Sequence, residues 1–149
     1  MKNTIVLSLF LLLFNSCNLA PGSYPYAKEY SIDLSEEKLI DVIKIFKNNN
    51  PEYITPDGLG LQDGRRTIKD HWYHIYFNYP QEKIIIKTWV RKKTKTETTF
   101  AFIAVKKYIG MSNWRFINKD FTKSKNKEEI KEFENRILYQ LGINDFIED

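Results

Sequence analysis

The sequence predicts a two-layer α+β fold: an antiparallel meander of about four strands, with an N-terminal and a C-terminal helix on one sheet face. Two observations carry this. Apolar residues recur at helical spacing over 39–46 and again over 130–141, while residues 71–106 alternate with a period of two between short turns. Helix, meander, helix is a pattern that buries one sheet face under two helical stripes.

The first helix opens at Asp33-Leu34-Ser35-Glu36-Glu37, where either Asp33 or Ser35 supplies the cap and the acids favour the positive end of the dipole. Leu39, Val42, Ile43 and Phe46 form its apolar stripe, and Asn48-Asn49-Asn50-Pro51 ends it. From Pro51 to Asp70 no period is sustained, and Asp57-Gly58 and Asp63-Gly64 are turn signals. So long a connection is a first choice for a recognition surface. Its Asp57–Gly64 stretch lacks both the alternating ligands of a calcium loop and the Lys-Ser/Thr of a phosphate cradle.

The strands follow. His71–Tyr79 sets Trp72, His74 and Tyr76 against Tyr73, Ile75, Phe77 and Tyr79. In Lys83–Arg91, Ile84, Ile86, Thr88 and Val90 oppose Lys83, Ile85, Lys87 and Trp89. In Glu97–Lys106, Phe100, Phe102 and Ala104 oppose Thr99, Ala101, Ile103 and Val105, and Trp114–Phe121 supplies a fourth strand. The last helix spans Asn126–Leu141, with Asn126 and Glu129 as capping pair, a stripe of Ile130, Phe133, Ile137 and Leu141, and Gly142 at C′.

The N-terminus carries a different signal. Lys2 precedes an apolar run from Ile5 to Phe14, about half the ~20 residues of a membrane span, and small residues follow it. The single cysteine, Cys17, stands where the run ends, after Ser16. Leu13-Phe14-Asn15-Ser16-Cys17 resembles the lipobox of bacterial lipoproteins, of the loose Bacteroidota type. The resemblance implies a cleaved signal peptide at 1–16, diacylglyceryl modification of the Cys17 thiol, and a lipidated residue plus tether over 17–30, leaving one domain over 31–149. Two or more acyl chains make a stable anchor, since each buried methylene contributes about 0.8 kcal/mol. Asn18 in place of an acid, and no acidic cluster behind Cys17, point to the outer membrane with the domain facing the periplasm.

Removing 1–16 takes one Lys from a net charge of +4, leaving +3, too mild a balance for a nucleic-acid-binding domain. Without a second cysteine no intrachain disulfide forms, so packing alone holds the fold. His71 and His74 point to opposite faces of a strand and lack further ligands, so neither a metal nor another cofactor is expected. No Gly-x-Ser-x-Gly elbow is present, and the reading is non-enzymatic.

What remains is recognition. Residues 81–107 carry seven Lys, one Arg and two Glu, a local charge of +6, interleaved with aromatics. The residues expected to meet a partner are Trp72, His74, Tyr76 and Trp89 on an open sheet face, Arg65 and Arg66 in the long loop, and Lys92, Lys93 and Lys95 on the hairpin. The expected function is a membrane-anchored, non-catalytic envelope module that recruits an envelope protein, an immunity-type lipoprotein being one form of it. The alternatives are a small envelope hydrolase whose acids converge only in the fold, and a binder of anionic lipid or peptidoglycan.

Overall fold

The computed structural model describes residues 24–110, 112–144 and 147–148. The lipobox, Cys17 and the signal segment lie outside them. The chain forms an α+β fold around one antiparallel sheet: β1 (Lys28–Ile32), β2 (Tyr73–Tyr79), β3 (Ile84–Lys92), β4 (Thr98–Lys107), and the two-residue β5 (Arg115–Phe116) and β6 (Ile147–Glu148). The strand order is β2-β3-β4-β1-β6, with β5 also pairing β4. The helices are α1 (Glu36–Asn49) and α2 (Lys123–Phe133), the latter running on through a π turn (Glu134–Leu138) and a 3₁₀ turn (Tyr139–Leu141).

The β2-β3-β4 meander stands as the alternation predicts, but β1 does not. It takes in residues 28–30, assigned above to the tether, and pairs with β4 along its whole length, Tyr30 opposite Phe100. Tyr30 is fully buried, its hydroxyl donating to Glu134 Oε1 at 3.0 Å. The domain therefore begins before residue 31.

The inward sheet face and the helices share one apolar cluster. Tyr30, Ile75, Phe77, Ile86, Val90, Phe100 and Phe102 meet Leu39, Ile43 and Phe46 of α1 and Phe133, Ile137 and Leu138 at the C-terminal helix. The π turn explains the last pair. Its wider winding brings the consecutive residues Ile137 and Leu138 inward together, where a regular stripe predicts only the first.

Two further expectations change. Ile103 is a bulged residue, because Lys87 pairs with Ala104 while Thr88 pairs with Phe102. The bulge shifts the phase of β4, so Val105 joins Phe100 and Phe102 on the helix side, and Ala104 joins Ala101 on the other. The strand expected over Trp114–Phe121 shrinks to β5. Asp120 Oδ2 accepts the Phe116 N–H at 2.7 Å and Asn118 adopts φ 59°, which turns the chain away from the sheet.

Both helix starts are capped by hydroxyls. Ser35 accepts from Lys38 N at 3.4 Å, and α2 begins three residues earlier than expected, with Thr122 Oγ1 accepting from Lys125 N at 3.3 Å. Asn126 does not cap. It pairs side chain to side chain with Asn118 at 2.7 Å and accepts that residue's N–H. Thr122→Ala is therefore expected to cost about 1 kcal/mol in urea unfolding. A cost confined to Asn126→Ala would return the cap to Asn126.

Part of the long loop is a strap: residues 63–65 tie it to β2 and α1, while most of its residues, Ile68 among them, stay exposed. Asp63 Oδ1 accepts the Tyr76 N–H at 2.9 Å, and Gly64 exchanges two backbone hydrogen bonds of 2.9 Å with His74. These contacts occupy the outer edge of β2. Lys47 of α1, 7% exposed, donates to Asp63 Oδ2 at 2.5 Å and to the Tyr76 carbonyl at 2.6 Å. Arg65 ties the strap to α1 through Glu36 Oε2 at 2.8 Å, and holds the Asp70 carbonyl at 2.9 Å.

Candidate functional site

The second sheet face is not open, as the sequence reading expects. Trp89 is 2% exposed, Tyr76 6% and Ile85 0%, with Trp72 half-buried. The cover comes from both sides: Tyr24 and Ala27 ahead of β1, and Trp114 and Phe116 after β4, pack with Trp72 onto Trp89, Ala101, Ile103 and Ala104. A long aromatic strand face costs free energy in water, and short flanking segments suffice to roof it.

Strand alternation puts Ile85, Lys87, Trp89 and Arg91 of β3 on this face, opposite His74 and Tyr76 of β2, with His74 across from Trp89 and Tyr76 across from Lys87. The Tyr24 ring sits over them, with centroids 5.6 Å from Trp72, 6.4 Å from His74 and 6.1 Å from Trp89. Trp72 and Trp89 lie 6.4 Å apart, and Trp114 stands 6.2 Å from Tyr76. All three tryptophans of the chain thus gather on one face.

Cations crown these rings. Lys87 Nζ lies 5.7 Å from the Tyr24 ring and 5.5 Å from Trp114, Lys106 Nζ 5.8 Å from Trp114, and the Arg91 guanidinium 5.8 Å from Trp89. Such contacts contribute about 0.5–1 kcal/mol at exposed sites and more when desolvated. Burial lowers the Lys87 pKa, and the nearby Arg66 guanidinium lowers it further.

His74 and Asp70 mark the rim. The Asp70 carboxylate accepts the N–H groups of Trp72 at 3.0 Å and Arg66 at 3.2 Å, and lies 3.4 Å from His74 Nε2. Burial alone would raise the Asp70 pKa, but these partners outweigh it and hold it below the ordinary value. For His74, burial lowers the pKa, Arg66 and Lys87 act the same way, and Asp70 opposes them without prevailing. A neutral imidazole results at neutral pH. His71 lies outside β2 and is exposed. Among the described residues no three His, Cys, Asp or Glu side chains gather at metal-ligand spacing.

Of the residues singled out in the sequence, the structure therefore unites Trp72, His74, Tyr76, Trp89 and Arg66. It separates the others by role. Arg65 is a tie between strap and helix, and Lys93 pairs with Glu97 at 3.1 Å and donates to Ser31 Oγ at 2.8 Å. Lys92 and Lys95 are exposed on the β3–β4 hairpin. Tyr24, Lys87, Lys106 and Trp114 went unselected, although a lysine between Ile85 and Trp89 on an apolar strand face is a signal in itself.

A groove of about 1330 Å³ runs from Tyr24, Trp72, Trp89 and Arg91 toward Lys131 and Glu134 at the C-terminal helix. No helix among the described residues is long and apolar enough to cross a membrane. Comparison with protein-family profiles, with curated protein sequences and with solved structures finds no match.

Proposed function

We propose that this chain is an outer-membrane lipoprotein, acylated at Cys17 and facing the periplasm, that works as a non-catalytic recognition module of the cell envelope. The observation that carries the recognition role is the aromatic groove lined by Tyr24, Trp72 and Trp89, with the Arg91 guanidinium 5.8 Å from the Trp89 ring. Aromatic and arginine side chains dominate binding energetics because they bury much area at small entropic cost. An envelope protein partner, of which a toxin met by an immunity-type lipoprotein is one form, is the recognition this module would perform.

Asp70, Glu82 and Glu97 are each held below the ordinary carboxylate range by their partners, which suits ionised contacts. Glu82 is held down, against burial, by Arg136 at 2.8 Å, and Glu97 by hydrogen bonds from Ser31 and Lys93.

The test is crosslinking in intact cells, capture of the tagged chain and mass spectrometry, with Cys17→Ala as comparator. One stoichiometric envelope partner, lost in Cys17→Ala, is the expected result. Turnover of an envelope substrate that survives purification and disappears in a point variant would sink the reading. Mass analysis of the peptide containing Cys17 reports acylation independently of any partner.

A further inference from the structure

We propose that Arg66, Lys87 and Lys106, arranged around Tyr24 and Trp114, form a site for the phosphate of an anionic lipid headgroup in the bilayer that anchors the chain. The identity of the occupant rests on the anchoring reading given above; the cationic site itself does not.

Lys87 is the anomaly that points there. Lys47, by contrast, is paired with Asp63 and a carbonyl, and Arg136 with Glu82. Half-buried Lys87 meets two ring faces instead, and no carboxylate or hydrogen-bond acceptor among the described residues. Arg66 reaches this rim through its backbone N–H, which donates to Asp70 beside His74 and the Tyr24 ring; it is exposed, and its guanidinium has no partner among the described residues. Asp70, the nearby acid, already receives two backbone N–H groups and faces His74. Two cations at one rim, neither in an ion pair among the described residues and one partly withdrawn from water, are an arrangement that an incoming anion stabilises. Lys106, whose Nζ lies 5.8 Å from the same Trp114 ring, adds a third positive charge.

Position selects the source of the anion. Only residues 18–23 separate Cys17 from Tyr24, so the anchor lies at most about 25 Å from this face along an extended chain. That is less than the ~30 Å width of a small domain, so Tyr24 stays within one domain width of the lipid surface. Tyrosine and tryptophan are the residues that settle at headgroup level, and basic residues beside them meet lipid phosphates.

The three tryptophans all sit on this face, so intrinsic fluorescence reads it directly. The full-length chain, reconstituted in phosphatidylcholine vesicles, is titrated with increasing phosphatidylglycerol while emission and acrylamide quenching are followed. A saturable decrease in quenching is expected. In the Arg66→Gln/Lys87→Gln double variant half-saturation should need at least about tenfold more phosphatidylglycerol, at roughly fivefold per cation. Arg66→Gln alone, an exposed change that leaves the packing untouched, should show its own roughly fivefold share. Lys92→Gln/Lys95→Gln should match wild type. Absence of a saturable response, equal responses in wild type and Arg66→Gln, or equal weakening by the hairpin variant would overturn the site. The same protection from inorganic phosphate added to pure phosphatidylcholine vesicles would overturn the headgroup assignment. Peptide mass at Cys17, measured on the reconstituted sample beforehand, reports acylation separately, so that failure of the anchor is distinguished from failure of the site.

Discussion

Phe133→Ala is expected to destabilise the domain by about 4 kcal/mol, lowering its thermal midpoint by about 15 °C. Phe133 is fully buried at the end of α2, where its ring stacks on Phe102 at 4.7 Å and meets Phe100 at 5.7 Å and Tyr30 at 5.9 Å. These three rings belong to β1 and β4, so one side chain joins the C-terminal helix to the centre of the sheet. Truncation leaves a cavity walled by rigid strands, which collapse little, and forfeits the ring–ring contacts as well. Against a total stability of 5–15 kcal/mol the loss is severe. Phe133→Leu, which refills most of the volume, should cost under half as much; equal losses for Ala and Leu would show that the aromatic stack, not the filled space, holds the helix.

The second large effect is asymmetric. Asp63→Ala is expected to cost about 3 kcal/mol, whereas Lys47→Met should cost about 1 kcal/mol, because the Asp63 carboxylate left behind can still face water. Removing the acid leaves the buried Lys47 ammonium with only the Tyr76 carbonyl, and also strips the Tyr76 N–H of its acceptor. Removing the ammonium instead puts an apolar chain of similar length beside Phe77, over whose ring Lys47 Nζ now lies at 4.9 Å. Asp63 keeps part of its surface in water, which places its loss at the lower end of the range for a broken buried pair. Chemical denaturation of both variants and of Lys47→Met/Asp63→Asn tests the asymmetry, and a Lys47→Met loss equal to that of Asp63→Ala would refute it.

A pH dependence accompanies this pair. Burial lowers the Lys47 pKa and Asp63 opposes without cancelling it. The unfolded chain then holds this proton to higher pH than the folded one, so stability due to Lys47 rises with pH between the lowered folded value and the ordinary lysine value of about 10.4. The difference between wild type and Lys47→Met should therefore move in favour of wild type across that alkaline window, and stay flat below it.

The sequence makes some of this architecture readable and hides the rest for physical reasons. The α1 stripe, the β2-β3-β4 alternation and Gly142 at φ 76° are written in local period and backbone preference, which a short window captures. Strand β1 is not, because Lys28-Glu29-Tyr30-Ser31-Ile32 owes its strand conformation to pairing with β4, some seventy residues away. The bulge at Ile103 is equally invisible: both phases of an all-apolar strand read alike. Thr122 lacks an acid three residues on, so the capping-box pattern favours Asn126, which tertiary contact with Asn118 has taken for another use. As for the site, the aromatic members were legible by alternation and composition. Lys87 stands out in the sequence as a lysine between Ile85 and Trp89 on one strand face, but its ring partners do not, because Tyr24 and Trp114 arrive from distant parts of the chain.

The strap over β2 also bears on how copies of this protein behave toward one another. A strand at the border of a sheet offers a row of donors and acceptors to any similar strand that drifts past, and sheets grow from such borders into fibrils. Here the Tyr76 amide and carbonyl and both His74 backbone groups are engaged by Asp63, Lys47 and Gly64. Where many copies share a small area, collisions in a fixed orientation are frequent, and a border closed by the chain's own loop keeps those encounters transient. Loosening the strap would thus surface first as clustering of the protein, ahead of any measurable unfolding.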